Sequence, residues 1–461
     1  MSRFLCLQLC LVWSYHCDEP IWTETEPVRR VEWSEGLVAE LTRLGAPALF
    51  RAPPSLHPDT ADGWSLDQLL ERFRVGTDGA LEMEDVKRMP GVPGGRMFRT
   101  SQPMRDQPGI LPGYKPHFSQ HNLTADEFFS RWQETTDGAW SYTPRLSEWP
   151  LAAGSNDLLV SDTGNRDDAG SWKLEYVWIG QSGTVTPLHH DHYQNFFHQL
   201  WGKKEFLLIP PSSHRDLCLY PSLHPAHRSS QLWDRHLWDR HRGPDHVDAE
   251  GVRYGVLPAL EAVLGPGDVL YIPPLWFHHV TTITHSLGIN VWSDWAPTQW
   301  YNELLGALSP ALADGDDRDV QVQTLRTFLL LLLDDLDVTT VWVRDHLIES
   351  RYRHVVTLRG TDADVCQEGD SARGDRGEEC SDESVNYCHH DEAFGRVAGD
   401  GYLLHVLGAA VAHRGTLLRR IRTEGGQDAF EIFLLNFLEH AAEGSLGARQ
   451  VKAFFLDLCA C

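Results

Sequence analysis

The segment TPLHHDHYQNFFHQLWGKKEFLLIPP, residues 186–211, places four histidines and an aspartate beside apolar runs that end at prolines. Similar short runs recur through residues 140–298. They include KLEYVWIG (173–180), DVLYIPP (268–274) and LGINVWS (287–293). Runs rich in Val, Ile, Tyr, Phe and Trp, separated by Gly or Pro, are typical of antiparallel barrels and sandwiches. The sequence therefore predicts a mainly β core.

The histidines of this segment suggest a metal site. In a strand, residues i and i+2 point to the same face, so His189 and Asp191 are expected to face one side together. His190 and His192 are then expected to face the other side. The alternative is that these are ordinary surface histidines, since the chain has 24 histidines and His-x-Asp triplets also arise by chance.

A third ligand has to come from another strand, and the best candidate is His278 in DVLYIPPLWFHHV (268–280). Two histidines and one carboxylate on one face of a metal leave three coordination positions open. That arrangement is typical of non-haem Fe(II) oxygenases, in which 2-oxoglutarate fills two positions and oxygen the third. Zinc is more usually held in a tetrahedral shell with cysteine or a third histidine.

Two neighbouring residues add to this hypothesis. Lys204 follows a turn at Gly202 and lies on the next predicted strand, where a fixed cation can pair with a carboxylate of a co-substrate. Asn195 lies four residues after Asp191, where its amide can bond to the co-substrate or to a ligand. A lone lysine is more often a solvated surface charge, and that alternative stays open.

The combined pattern resembles a known family. VTPLHHDHYQNFFHQLWGKKEFLLIPP (185–211), followed by GPGDVLYIPPLWFHHV (265–280), is similar to the Jumonji C domain of Fe(II)- and 2-oxoglutarate-dependent oxygenases. The similarity extends over roughly residues 120–298. It is strongest to the small hydroxylase branch typified by the asparaginyl hydroxylase that inhibits hypoxia-inducible factor. LYP (219–221) and HPAHRSSQ (224–231) resemble the same branch. The resemblance implies a double-stranded β-helix, that is, a cupin or jelly-roll barrel, with helical additions.

The resemblance also implies roles for individual residues. The positions that match the iron ligands are His189, Asp191 and His278. The positions that match contacts to 2-oxoglutarate are Lys204, Thr186, Asn195, Asn290 and Tyr142. Trp292 is expected to line the pocket wall and His279 to be a neighbouring non-ligand. The implied cofactors are Fe(II), 2-oxoglutarate as co-substrate, and O2.

The implied reaction is hydroxylation of a side chain in a protein or peptide substrate, with release of succinate and CO2. If the oxidised carbon is an N-methyl group, the outcome is demethylation, so a lysine demethylase of the same class is the first alternative. The second alternative is a metal-bound barrel that has lost catalysis and serves only for interaction.

The domain organisation follows from shifts in pattern along the chain. The predicted units are a leader with a weak signal-like character (1–26), an N-terminal α/β part that supports the barrel (27–139), the Jumonji C core (140–298), a helical region (299–360), an acidic flexible linker (361–392) and C-terminal helices (393–461). The C-terminal helices are expected to pack within the chain or to form a homodimer interface. A zinc site formed by Cys366, Cys380, Cys388 and His389 is disfavoured because their spacing lacks a Cys-x-x-Cys pair.

Charge and composition limit the classes of partner and the cellular locations that we expect for this protein. The formal net charge of -25 argues against general nucleic-acid binding, which needs clustered Lys and Arg. No apolar stretch reaches the ~18 residues of a membrane span, so we predict none. Nine cysteines without a disulfide-like spacing favour a reducing compartment, hence a cytoplasmic or nuclear location. If residues 1–20 are a signal peptide, the secretory pathway is the alternative.

Overall fold

The structure is a computed structural model of the chain. The residues that it describes are 21–53, 81–86, 97–98, 118–123, 140–146, 173–224, 226–234, 255–307, 318–352, 401–447 and 450–460.

The first of two β-sheets has six strands. In spatial order they are β1 (Ile21–Pro27), β11 (Gly255–Leu264), β10 (Lys204–Ile209), β13 (Phe277–Thr282), β8 (Thr184–His190) and β4 (Met97–Phe98). The central pairs β11–β10, β10–β13 and β13–β8 are antiparallel, whereas the edge strands β1 and β4 pair in parallel.

The second sheet has eight strands. In spatial order they are β2 (Ala48–Arg51), β12 (Asp268–Ile272), β9 (Gln194–Trp201), β14 (Ser286–Ser293), β7 (Lys173–Gly180), β6 (Trp140–Leu146), β3 (Leu81–Val86) and β5 (Phe118–Leu123). All its pairings are antiparallel. Along the chain, strands β7 to β10 alternate between the second and the first sheet, and so do strands β11 to β14, as in a jelly roll.

The two sheets face each other across a buried apolar layer. Phe197 on β9 and Phe206 on β10 are both buried, and their ring centroids lie 5.0 Å apart. Leu208, Leu270 and Val280 belong to the same cluster. Apolar side chains that alternate along strands of two facing sheets are the core of a sandwich. The prediction of a mainly β, jelly-roll fold with helical additions is confirmed.

The outer faces of the sheets are covered by other parts of the chain. Helix α1 (Leu37–Leu44) packs Leu37, Val38 and Leu41 on the outside of the second sheet, against Phe196. The segment between β10 and β11 covers the outside of the first sheet with a 3-10 turn (Pro211–Ser213) and helix α2 (Gln231–Asp234). We call residues 211–234 the insertion.

The N-terminal region supplies strands as well as a helix. β1 pairs in parallel with β11 over seven residues, and β2 pairs with β12. β1 lies almost wholly within the predicted leader, 1–26, whereas β2, β3, β4 and β5 lie within the predicted supporting part, 27–139, which therefore contributes strands to both sheets. The predicted linker 361–392, the segment 1–20 and the cysteines Cys366, Cys380 and Cys388 lie outside the described residues.

Helices follow the last core strand and form a second hydrophobic core of their own. They are α3 (Ala296–Leu305), α4 (Arg318–Asp335), α5 (Thr340–Val343), a π-helix (Arg344–Tyr352), α6 (Gly401–Leu446) and α7 (Val451–Ala460). Helix α6 is broken at Gly426, whose φ of 85° is left-handed. Among the described helices, none combines the length and apolarity required to cross a membrane.

Two buried carboxylates tie α6 to the insertion. Glu431 is 1% exposed and accepts hydrogen bonds from His214, at 2.9 Å, and from the Arg215 guanidinium. Two turns further along, Glu439 accepts hydrogen bonds from the backbone N–H and hydroxyl of Ser222. Because an unpaired buried carboxylate is costly, these pairings fix the helix against the insertion in one register.

Candidate metal centre

Three residues of the first sheet converge at one end of the sandwich. His189 lies at the end of β8, Asp191 follows that strand directly, and His278 lies in β13. β8 and β13 are antiparallel neighbours with His189 opposite His278, and the two ring centroids are 4.2 Å apart. One potential ligand atom from each of the three residues lies within 4.8 Å of the others. The structure thus brings together the three predicted ligands.

Backbone hydrogen bonds orient both imidazoles. Nδ1 of His189 lies 2.7 Å from the carbonyl of Pro187, and Nδ1 of His278 lies 3.0 Å from the carbonyl of Trp276. A carbonyl can only accept, so each Nδ1 carries a proton, and in the neutral form of each ring the lone pair is on Nε2. Nε2 of His278 lies 3.7 Å from Oδ2 of Asp191. Two imidazole lone pairs and one carboxylate oxygen therefore point into the same small space.

The charge states of these groups suit a cation. Burial lowers the pKa of His189 to about 3, with a further contribution from His278, so this imidazole is neutral at physiological pH. Burial alone would raise the pKa of Asp191, but His189, His278 and Arg228 lower it, so the carboxylate is ionised. Metal ligands have to be deprotonated, and both conditions are met without a metal.

The donor set fits a divalent transition metal. Two neutral nitrogens and one carboxylate oxygen match the facial arrangement that leaves three positions open in non-haem Fe(II) sites. A Nδ1–H···O=C bond behind each ligating histidine is the usual second-shell support for such a ligand. The described residues that surround the centre add no cysteine to this donor set.

A bulge in β8 turns a further polar residue toward the centre. His278 pairs with His189, and Val280 pairs with Thr186, so two residues of β13 span three of β8. Residues paired across strands point to the same face, so Thr186 shares a face with His189. Val280 belongs to the inter-sheet core, which places this face inside the sandwich.

Lys204 lies on the same interior face, farther from the metal ligands. It pairs with Thr282 in β13, four residues beyond His278, or about 13 Å along the strand at ~3.3 Å per residue. Its side chain is 1% exposed, and its Nζ donates to Oγ1 of Thr282 at 3.1 Å. Oγ1 of Thr184 lies 2.9 Å from the same hydroxyl. Burial lowers the pKa of Lys204 to about 7.

The second sheet contributes two asparagines to the opposite wall. Asn195 pairs with Trp292, and Asn290 pairs with Phe197, which packs in the inter-sheet core. Both asparagines therefore face the interior. Oδ1 of Asn290 accepts a hydrogen bond from Nε1 of Trp178 at 2.8 Å, whereas the buried Oδ1 of Asn195 has no hydrogen-bond partner among the described residues.

Two more predicted residues lie on strands of the second sheet, Trp292 on β14 and Tyr142 on β6. Trp292 stacks on Tyr193 with ring centroids 6.3 Å apart. Tyr142 lies in β6, opposite Gly180 and Glu84, and the position of its side chain is outside what the structure describes. The proposed contact between Tyr142 and 2-oxoglutarate stays a prediction.

The other histidines of the region have packing roles. His190 packs edge-on against Phe277, and its Cα position puts it on the outer face. His192 lies 5.0 Å from the ring of Phe433 in α6. His279 is fully buried on the face opposite His278, as strand alternation predicts. His190 and His192 belong to the histidine-rich segment but pack against aromatic rings, so only part of that segment contributes to the metal centre.

Sequence reasoning missed several residues that contact the site. Nη1 of Arg228, in the insertion, lies 3.3 Å from Oδ1 of Asp191. The backbone N–H of Leu275 donates to the Asp191 carbonyl at 2.7 Å. Thr184 and Thr282, which contact each other beside Lys204, were also missed. Strand register was the only signal for the threonines, and a long insertion inside the core was the only signal for Arg228.

Comparison with known proteins supports this geometry. Residues 112–299 match the family described as cupin-like domain. The chain is 34% identical over 197 residues to the protein named lysine-specific demethylase JMJ30 of Arabidopsis thaliana, covering 40% of each chain. It is 31% identical over 155 residues to human bifunctional peptidase and (3S)-lysyl hydroxylase JMJD7, covering 29% of this chain and 46% of that protein. It is 30% identical over 151 residues to Drosophila melanogaster Jumonji C domain-containing protein 5, covering 31% and 33%.

In each of these three comparisons the chain spans less than half of the relative's own length, between 33% and 46%. The matched part contains both sheets' central strands and the three convergent residues His189, Asp191 and His278. Residues 112–299 of this chain therefore match a cupin-like domain, and its described strands carry the three residues in a region similar to Jumonji C proteins.

Proposed function

We propose that the protein is an Fe(II)- and 2-oxoglutarate-dependent oxygenase that hydroxylates a side chain of a protein substrate. One observation carries the proposal. The interior face that presents His189, His278 and Asp191 also presents a buried lysine, Lys204, whose Cα lies about 13 Å farther along the sheet. A dicarboxylate lying along this face would have one end at the metal and the other end at the lysine amine.

The residues of the chain have distinct tasks in this proposal. A bound Fe(II) supplies the activation of oxygen that converts 2-oxoglutarate to succinate and CO2. His189, Asp191 and His278 hold the metal from one side. Lys204 pairs with the far carboxylate, supported by the hydroxyl of Thr282. The apolar layer around Phe197 and Phe206 excludes water from the interior, which strengthens the pairing of charges there.

The substrate class rests on weaker support. One relative is named as a lysyl hydroxylase and another as a lysine-specific demethylase, so the names of the relatives point to protein lysines. The net charge of -25 favours association with basic protein segments. We therefore take a basic segment that contains lysine as the first substrate to test. The assignment to the asparaginyl hydroxylase branch remains a prediction, as does a cytoplasmic or nuclear location.

Demethylation is the second candidate, favoured by the similarity to a protein named as a lysine-specific demethylase. The two reactions share the same metal and co-substrate and differ in which carbon lies near the metal. A hydroxylated N-methyl group breaks its C–N bond, returns a proton to the nitrogen and leaves as formaldehyde, whereas a hydroxyl on a side-chain carbon stays.

The test is mass spectrometry of basic peptides, half with lysine and half with N-methyl-lysine, after incubation with the full chain, Fe(II), 2-oxoglutarate and oxygen. Gain of one oxygen on a side chain is the expected result. Loss of a methyl group with release of formaldehyde would instead establish the demethylase. Asp191→Ala is the matched control and should abolish either change, because it removes a metal ligand. A product that persists in the Asp191→Ala variant would contradict the proposal.

A further inference from the structure

The insertion reaches back to the metal centre at one residue, Arg228. Its backbone carbonyl accepts the N–H of His190 at 3.2 Å, and the next residue, Ser229, forms a bridge with His189. Ser230 donates its N–H to the carbonyl of Leu188 at 3.0 Å. These bonds fasten residues 228–230 along the end of β8. The backbone of Arg228 is therefore fixed relative to the ligands that β8 carries.

The backbone conformation at this point is unusual. Four non-glycine residues among those described have a positive φ, and two of them, Arg228 at 69° and Leu275 at 65°, bond to Asp191. Left-handed conformations of such residues cost of order 1 kcal/mol each, and they persist where the surrounding structure enforces them. Both strained residues therefore hold Asp191. Leu275 binds its backbone carbonyl, and Arg228 binds its side-chain carboxylate.

The two oxygens of Asp191 have different partners. Oδ2 faces Nε2 of His278 at 3.7 Å, toward the space between the ligand atoms. Oδ1 faces Nη1 of Arg228 at 3.3 Å, and the side chain of Arg228 is 17% exposed. A guanidinium donor facing a carboxylate oxygen forms a charge-assisted contact, so Arg228 holds Oδ1 on the side away from the two imidazoles.

We propose that Arg228 is a positioning residue that holds Oδ1 of Asp191 away from the metal, so that the carboxylate binds through Oδ2 alone and three coordination positions stay open. The inference rests on the proposed function, because it concerns the same metal and co-substrate. A carboxylate without this partner can rotate and bind through both oxygens, which closes one position. 2-Oxoglutarate needs two positions and oxygen a third, so the closed position is one that the reaction needs.

The experiment uses Mn(II) as the probe metal and compares the full-length protein with Arg228→Met, which keeps the bulk but removes the charge and the donors. Water-proton relaxation reports the number of waters exchanging on the bound Mn(II). Titration with 2-oxoglutarate then gives its affinity without turnover. The expected result is fewer exchangeable waters, Mn(II) affinity that is equal or tighter, and 2-oxoglutarate affinity weaker by about tenfold, the lower end of the effects of removing a group that supports a metal ligand.

Two further variants make the result specific. Arg228→Lys keeps the charge and should restore part of the hydration and of the 2-oxoglutarate affinity. Arg215→Met removes another insertion arginine, which pairs with Glu431 instead, and should leave the hydration of Mn(II) unchanged. Wild-type hydration and 2-oxoglutarate affinity in Arg228→Met would overturn the inference, and so would a parallel loss of Mn(II) affinity. Failure of the wild-type chain to bind Mn(II) would count against the proposed function itself.

Discussion

Lys204 gives the most informative single substitution, because its burial carries a cost to folding and the proposed function gives it a role in binding 2-oxoglutarate. The side chain is 1% exposed, and burial lowers its pKa from 10.5 to about 7. At about 1.4 kcal/mol per tenfold change in proton affinity, this difference corresponds to about 5 kcal/mol by which burial disfavours the charged amine. Replacement by the similarly shaped methionine removes that cost and also removes the hydrogen bond to Thr282, worth about 1 kcal/mol.

We therefore expect Lys204→Met, without co-substrate, to be more stable than the wild type by about 4 kcal/mol at pH 6.5. The advantage should shrink as the pH rises. Between pH 7 and 10.5 the unfolded chain keeps the lysine proton and the native chain releases it, so the wild type gains stability with pH. The variant lacks the group and lacks this gain.

Binding should change in the opposite direction. A buried carboxylate left without its cationic partner costs about 2–5 kcal/mol, so Lys204→Met should bind 2-oxoglutarate at least about 30-fold more weakly. In the wild type the affinity should fall as the pH rises above 7, because a neutral amine pairs poorly with a carboxylate.

The assay is urea unfolding of both proteins at pH 6.5, 8 and 9.5, with calorimetric titration of 2-oxoglutarate on the Mn(II)-loaded forms. Lys203→Met, at the exposed neighbouring residue, is the matched control and should behave as the wild type. A stability difference between wild type and Lys204→Met that stays constant over this pH range would refute the reasoning. So would a variant that binds 2-oxoglutarate with wild-type affinity.

Three further predictions concern the scaffold. Burial raises the pKa of Glu431, but hydrogen bonds from His214 and Arg215 outweigh it and lower the pKa from 4.5 to about 2. Glu431→Gln should therefore lose about 3 kcal/mol at pH 7, and the difference should vanish between pH 4.5 and 2; a pH-independent difference in urea unfolding would contradict this. Phe433→Ala should lower stability by about 3–5 kcal/mol, because the ring stacks on Tyr301 at 4.4 Å in the helical core, and a loss below about 1 kcal/mol in thermal unfolding would contradict that packing. Gly202→Ala should cost at least about 2 kcal/mol in the same assay, because φ is 69° and the added methyl would collide with the His285 carbonyl; an unchanged melting temperature would disprove it.

The convergence of His189, Asp191 and His278 could be predicted from the sequence. It depends on side-chain alternation along a strand and on the pairing of β8 with β13. His189 and Asp191 are two residues apart, so they share a face wherever the strand lies. The apolar runs with intervening Gly and Pro likewise predicted the two facing sheets. These features depend on local pattern, and the local pattern is visible in the chain.

Other parts of the site depend on register and on contacts distant in sequence. Strict alternation would put Thr186 on the face opposite His189, and only the bulge in β8 reverses this. That residue was named from resemblance rather than from pattern. Arg228 lies 37 residues from Asp191, in a loop without periodicity, so no spacing argument could have joined the two. The left-handed backbone conformation of Leu275 could likewise not be predicted from the residues next to it in the sequence.

The most direct test of the account is succinate formation from 2-oxoglutarate by the purified full chain with Fe(II), ascorbate and oxygen. Enzymes of the proposed class oxidise their co-substrate through the metal, so the wild type should form succinate, faster when its peptide substrate is present. His189→Ala and Asp191→Ala should form none, because each removes one of the three ligands. Equal succinate formation by the wild type and both variants, or none by a folded, iron-loaded wild type with basic peptides present, would contradict the central claim.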